Sequence, residues 1–128
     1  MAYLFPPELT ASTRSGGEIS IFKKIKNYGQ NLNWSVMHSY RVPNHIFKKW
    51  GEIDFLFLIP NKGVVCLEVK DHKEIILEGR QWYFGKKKTV GESPFKQIND
   101  NQESLLREIK KLRPDLNVPW WSAVIFTK

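Results

Sequence analysis

Three charged residues stand where an apolar hairpin should have none. In "GEIDFLFLIPNKGVVCLEVK", Gly51 to Lys70, two apolar runs flank the turn "PNKG", yet Asp54 lies in the first arm and Glu68 and Lys70 in the second. Charges in otherwise buried strands are costly unless they are paired or bound to a metal. Facing positions of an antiparallel pair share a constant index sum. A turn centred at Asn61 therefore sets Asp54 opposite Glu68, and period-two alternation adds Lys70 to the same face. A slip of one residue would put the two acids on opposite faces, and "PNKG" is compatible with more than one loop length.

Two facing carboxylates repel unless a proton or cation sits between them. Mg2+ suits the position, because it is commonly held by one or two carboxylates together with waters and phosphate oxygens. The backbone carbonyl of Val69 is a further candidate ligand. Lys70 would aim its ammonium at the same region, to stabilise developing negative charge or to position or deprotonate an attacking water. That set suits hydrolysis of a phosphodiester. The competing reading is a solvated sheet face on which the acids simply pair with Lys70 and other bases. Large apolar neighbours on both sides of the acids point instead to a face covered by a helix.

The elements that must position this hairpin are legible around it. "SGGE", Ser15 to Glu18, has the capping-box pattern, and Ile21, Phe22 and Ile25 follow at helical spacing, which predicts a helix over 16–28. Strand character runs over Trp34–Val42, Ile53–Ile59 and Val64–Lys70, and "EIILEGRQWYFG" predicts two short strands turning at Glu78–Gly79. Ser93 and Pro94 are a good N-cap and N1 pair for a second helix. Phe95, Ile98, Leu105, Leu106, Ile109 and Leu112 form its apolar stripe, with a gap around Gln102, and Pro114 ends it. "SAVIFT", Ser122 to Thr127, reads as a buried strand. Met1 to Arg14 reads as an extended lead-in.

The chain has 128 residues, 41 % hydrophobic and 26 % charged, which predicts one folded domain, 1–128, rather than a disordered chain. A net charge of +7 favours an anionic partner. The single cysteine, Cys66, reads as a small core residue. His38, His45 and His72 lack zinc-ligand spacing. No run is apolar and long enough to span a bilayer, and no secretory signal pattern opens the chain, so the expected setting is cytoplasmic.

Taken together, the blocks resemble the nuclease-related domain, NERD, a branch of the PD-(D/E)XK nuclease superfamily. "GEIDFLFLIPNKGVVCLEVK" is similar to its signature, "SGGEISIFKKIKN" to its opening helix, "SPFKQINDNQESLLREI" to its later helix and "WSAVIFT" to its closing strand. The resemblance runs from about Glu18 to Phe126. It implies an α/β fold with a mixed central β-sheet flanked by helices, an α-β-β-β-α-β restriction-endonuclease-like core. It implies Mg2+-dependent cleavage of DNA, with Mn2+ able to substitute, in DNA processing or repair. Asp54 and Glu68 match the metal-binding acids and Lys70 the catalytic lysine. Glu18 matches a helix acid that approaches the metal, although it also completes a capping box with Ser15. Gln97 matches a polar residue facing the site, although a solvated helix position accounts for it equally. Glu52 belongs to the motif without an assigned role.

Lys23, Lys24, Lys86, Lys87, Lys88 and Lys96 are the candidate DNA contacts, with Lys26, Lys48, Lys49 and Lys110 as further cations. Phosphate contacts position but do not specify. With no base-reading motif, cleavage without strong sequence specificity is the expectation. Trp50, Trp82 and Tyr83 could stack on unpaired bases, but Trp82 and Tyr83 fit strand packing better. The competing functions are a non-catalytic DNA-binding or targeting module of a larger helicase-type or multidomain protein, and a basic protein-interaction domain. The resemblance also makes this an N-terminal domain of a longer protein.

Overall fold

The computed structural model describes residues 3–9, 16–29, 32–43, 50–71, 74–85 and 89–127. In chain order the elements are β1 (Tyr3–Phe5), α1 (Gly16–Tyr28), β2 (Ser35–Pro43), β3 (Trp50–Ile59), β4 (Gly63–Lys70), β5 (Ile75–Glu78), β6 (Gln81–Phe84), β7 (Thr89–Gly91), α2 (Pro94–Leu112) and β8 (Trp120–Phe126). The central sheet runs β1-β2-β3-β4-β8 and a smaller sheet runs β5-β6-β7. The β1–β2 and β4–β8 pairs are parallel and the β2–β3 and β3–β4 pairs antiparallel. This is the mixed sheet with two helices of a restriction-endonuclease-like core. The small sheet is inserted between β4 and α2.

The hairpin register is the one expected. Phe55 pairs with Leu67, Leu56 with Cys66 and Ile59 with Gly63, so the index sum places Asp54 level with Glu68. The turn explains why. Lys62 N–H donates to the Ile59 carbonyl at 3.0 Å, and Asn61 has φ 64°. Proline followed by a left-handed Asn is the pattern of a type II turn. Gly63 closes the hairpin with φ 143°, beside the Pro119 carbonyl.

Alternation along β3 and β4 divides the core between the two helices. Phe55, Phe57, Leu67 and Val69 pack with Phe22, Ile21 and Ile25 of α1. Leu56, Leu58, Val64 and Cys66 pack with Ile98, Leu105 and Ile109 of α2. The helices thus cover opposite faces. Cys66 is fully buried, as a core residue should be, and burial pushes its thiol up to about 12.

Several elements differ from the sequence reading. The lead-in supplies β1, an edge strand beside β2. The closing strand β8 is not buried: Trp121, Ser122, Ala123 and Phe126 are exposed, because among the described residues β8 pairs on one side only, with β4. The α2 stripe is incomplete, with Leu112 80 % and Phe95 50 % exposed. Ser93 does cap α2, its Oγ accepting from Lys96 N–H. Ser15, Asn44, His45, Lys48, Lys49, His72, Lys86, Lys87 and Lys88, and the side chain of Trp50, lie outside the described residues.

Gly63 tests the turn that fixes the register. A Cβ there would fall on the Pro119 carbonyl oxygen and against Trp121, in a backbone region that costs other residues about 1–3 kcal/mol before any clash is counted. Gly63→Ala is expected to destabilise the fold by at least that amount in an equilibrium urea titration.

Candidate metal centre at the strand fork

The β3–β4 pairing ends at Phe55 and Leu67, so β3 leaves β4 at Asp54. The Asp54 carboxylate takes over the lost ladder position: Val69 N–H donates to its Oδ2 at 2.8 Å. A strand residue's N–H and C=O project to the same edge. The Val69 carbonyl therefore also turns towards the opening of the fork.

Strict alternation fails at this same place. Ile53 packs in the α2 core, whereas Phe55, two residues on, packs in the α1 core. On β2, Val36 belongs to the α1 side but Tyr40 to the α2 side. Both reversals lie on one line across the sheet, because the β2–β3 register continues unchanged on either side of Ser39 and Asp54. Ser39 has φ 55°, an uncommon value for a residue with a side chain. Period-two alternation, which sets the hairpin register correctly, does not hold through this line, so the residues before and after Asp54 face opposite helices.

Four acids meet here. Oxygens of Glu18, Glu52 and Asp54 lie within 4.8 Å of one another, a spacing that can hold a cation. Glu68 stands beside Asp54 and is 4 % exposed. Its Oε1 is 3.3 Å from the Lys70 ammonium, and its Oε2 is buried with no hydrogen-bond partner among the described residues. Burial, then the neighbouring Glu68 charge, pushes the Asp54 carboxyl from its ordinary 3.8 up to about 8, against the pull of the Val69 N–H. Glu18 and Glu52 push it the same way. Burial also raises Glu68, against the pull of Lys70. Hard oxygen donors, mutual repulsion and an unpartnered buried carboxylate oxygen together fit a divalent cation such as Mg2+.

Glu18 does more than begin a helix. Its Oε1 lies 3.0 Å from His38 Nε2. The His38 ring is stacked on Phe55 at 4.8 Å and edge-on to Phe22 at 5.6 Å. With the proton on Nε2 the ring donates to Glu18 and holds the acid towards the fork. Spacing to other histidines gave no reason to single out His38. Its signal is a polar residue in a largely apolar strand, beside Ser39, which is weak.

Two further fastenings were missed. Asp71 Oδ2 accepts from Gly17 N–H at 2.8 Å, and its Oδ1 accepts from Thr127 Oγ1 at 2.8 Å. A carboxylate at a helix N-terminus satisfies an otherwise orphan amide and is favoured by the helix dipole. Gly17 permits the approach: a Cβ there would sit 2.5 Å from Thr127 Oγ1 and 3.0 Å from Asp71 Cβ. On the other face, Asn101 Nδ2 of α2 donates to the Glu52 carbonyl at 2.8 Å. That buried asparagine sits beside the Gln102 gap in the apolar stripe.

The remaining candidates are more dispersed. Gln97 is half-buried in the first turn of α2, and its side chain forms no hydrogen bond to Asp54, Glu68 or Lys70 among the described residues. Lys23 and Lys24 are exposed on α1. The Lys96 ammonium is engaged by Asp100 at 2.8 Å and Glu92 at 3.5 Å.

The family model of the nuclease-related domain, NERD, matches residues 13–127, and the chain belongs to that family. No curated protein and no solved structure gives a match.

The raised Asp54 carboxyl makes stability depend on pH. Between about pH 4 and about pH 8 the metal-free folded chain keeps a proton that the unfolded chain has lost, so stability falls as pH rises, by at most about 1.4 kcal/mol per unit. An asparagine side chain at this position cannot ionise. Asp54→Asn is expected to match wild type near pH 4 and to exceed it increasingly as pH rises, by up to about 5 kcal/mol near pH 8, as measured by urea denaturation in chelator.

Proposed function

We propose that this member of the nuclease-related domain family is a metal-dependent deoxyribonuclease, hydrolysing phosphodiester bonds without strong sequence specificity, with Mg2+ or Mn2+ as cofactor. The observation that carries the reading is the fork: Asp54 and Glu68 level in the sheet, a buried Glu68 oxygen with no hydrogen-bond partner among the described residues, and the Lys70 ammonium 3.3 Å from the other oxygen. A purely structural ion pair would not set a second buried carboxylate beside the first.

Asp54, Glu68 and the Val69 carbonyl would hold the ion, with Glu18 and Glu52 close enough to Asp54 to share it. When bound, the cation neutralises the acids and polarises a phosphate oxygen. The protein's own groups do the rest. Lys70 carries its charge on a stem whose ammonium is 5.6 Å from the centre of the Phe84 ring. It would donate to the phosphoryl oxygen as negative charge builds there, or hold the attacking water. Glu18, fixed by His38, can accept a hydrogen bond from that water. Water adds to phosphorus, the bond to the leaving oxygen breaks, and the proton passes to that oxygen. Gln97 would orient the same water or a phosphate from the α2 side. Lys23 and Lys24 would contact phosphates electrostatically, as would Lys86, Lys87 and Lys88. Lys96 would do so only by leaving its acidic partners. A role in DNA processing or repair, alone or joined to a helicase-type domain, follows from such an activity.

Incubating the chain with linear duplex, circular and single-stranded DNA, in Mg2+, in Mn2+ and in chelator, tests this. Cutting is expected only with metal, and Glu68→Gln and Lys70→Ala are each expected to slow it by about a hundredfold or more. Full activity in either variant removes the site assignment. Metal-independent binding with no cutting in any condition favours a non-catalytic DNA-binding module instead.

A further inference from the structure

Four aromatic rings form a row that begins at Lys70. The Lys70 ammonium lies 5.6 Å from the centre of the Phe84 ring. Phe84 stacks on Trp82 at 6.3 Å, Trp82 meets Phe95 at 6.0 Å, and Phe95 meets Phe126 at 6.3 Å. The row draws on three parts of the fold: β6 of the small sheet, the first turn of α2, and the end of β8. Phe126 is level with Lys70 in the parallel β4–β8 ladder, so the row begins and ends beside the fork.

A row of this kind could be a packing seam that joins the small sheet to the body. Its inner half fits that role, since Trp82 and Phe84 are half-buried. Its outer half does not. Phe95 is 50 % exposed and Phe126 42 % exposed. Leaving two neighbouring phenyl rings about half in water forgoes about half of the gain from burying them. Both rings belong to an apolar stripe or strand that the sequence predicts to be buried, so their exposure is a departure from pattern at the edge of the candidate site.

The chemistry selects the occupant. Nucleobases have π faces that stack on aromatic side chains whatever their sequence. In a duplex those faces are already stacked on neighbouring bases, so only unpaired bases are free to use the row. The chain carries a net charge of +7, which complements a polyanion, and the inner ring lies beside a lysine. We propose that Phe95 and Phe126, backed by Trp82 and Phe84, form a stacking platform for unpaired bases of single-stranded DNA, feeding the strand's backbone towards Lys70 and Glu68. This deepens the nuclease reading and rests on it for the strand's fate, but the binding itself requires no cleavage. The platform would make single strands, or the frayed ends of duplexes, the preferred substrate.

The test separates stacking from charge. A dye-labelled oligothymidine and an abasic strand of the same length carry the same phosphates, and only the first has bases. Their affinities for the full chain are measured by fluorescence anisotropy in chelator, so that nothing is cut. Wild type is expected to bind the oligothymidine at least about fivefold more tightly than the abasic strand. Phe95→Ala and Phe126→Ala should each shrink that ratio without changing abasic affinity, and Phe95→Trp should restore it. Both alanine changes are at exposed positions, and a thermal melt beside each titration verifies folding. Equal affinity of wild type for the two strands overturns the proposal, as does an unchanged ratio in both alanine variants. A chain that binds through the rings yet cuts nothing in Mg2+ or Mn2+ keeps the platform and loses the nuclease reading.

Discussion

The hydrogen bond from Val69 N–H to the Asp54 carboxylate is the contact on which the site depends. It lies where β3 peels away from β4 and a backbone amide would otherwise lose its ladder partner. A side chain fills that role and so fixes the carboxylate in the mouth of the fork. The cost follows from the same geometry. Asp54 is brought beside Glu68 and near Glu18 and Glu52, in a setting dry enough to raise its carboxyl to about 8. An acidic group gathered this tightly is stable only with a proton or a cation in it. The fork is thus a place where the fold gives up stability to assemble charge, a common trade at functional sites.

The surrounding fastenings make sense against that repulsion. Several elements around the fork are tied to one another. Asp71 clips the first turn of α1 to the end of β4, while Thr127 joins it from beyond β8. Gly17 is small so that the helix can come this close. His38, stacked on Phe55, holds the Glu18 side chain. Asn101 holds the Glu52 backbone from the opposite face. Both helices therefore act on the fork, one through a side chain and one through the main chain. A residue with no charge to offer the substrate can matter here because it sets where an acid points.

The sequence carried the hairpin well because its signals are local. "PNKG" specifies a turn, the turn specifies a register, and the register brings Asp54 level with Glu68. Helix α1 was legible from its spacing, and the Ser93–Pro94 start of α2 from its cap. What the sequence hid is long-range. The Ser39 backbone reversal has no marker, since serine gives no warning of a left-handed φ. Asp71 looks like an ordinary loop acid until α1 is docked against it. His38 looks like a lone strand histidine until Glu18 arrives from a helix twenty residues earlier. The closing strand was misread for a related reason: apolar content predicts burial, but position in the sheet decides it, and β8 is at an edge. The same edge leaves Phe126 in the open beside Phe95.

The central claim is that the fork's acids exist to hold a divalent cation, and calorimetric titration with Mn2+ near neutral pH tests it most directly. One ion per chain is expected to bind with release of protons, because Asp54 must ionise before it can serve as a ligand. The released protons appear as a dependence of the measured heat on the ionisation enthalpy of the buffer, and Asp54→Asn should abolish both that dependence and the saturable binding. Saturable binding that survives Asp54→Asn, or no saturable binding by the wild-type chain, would contradict the account.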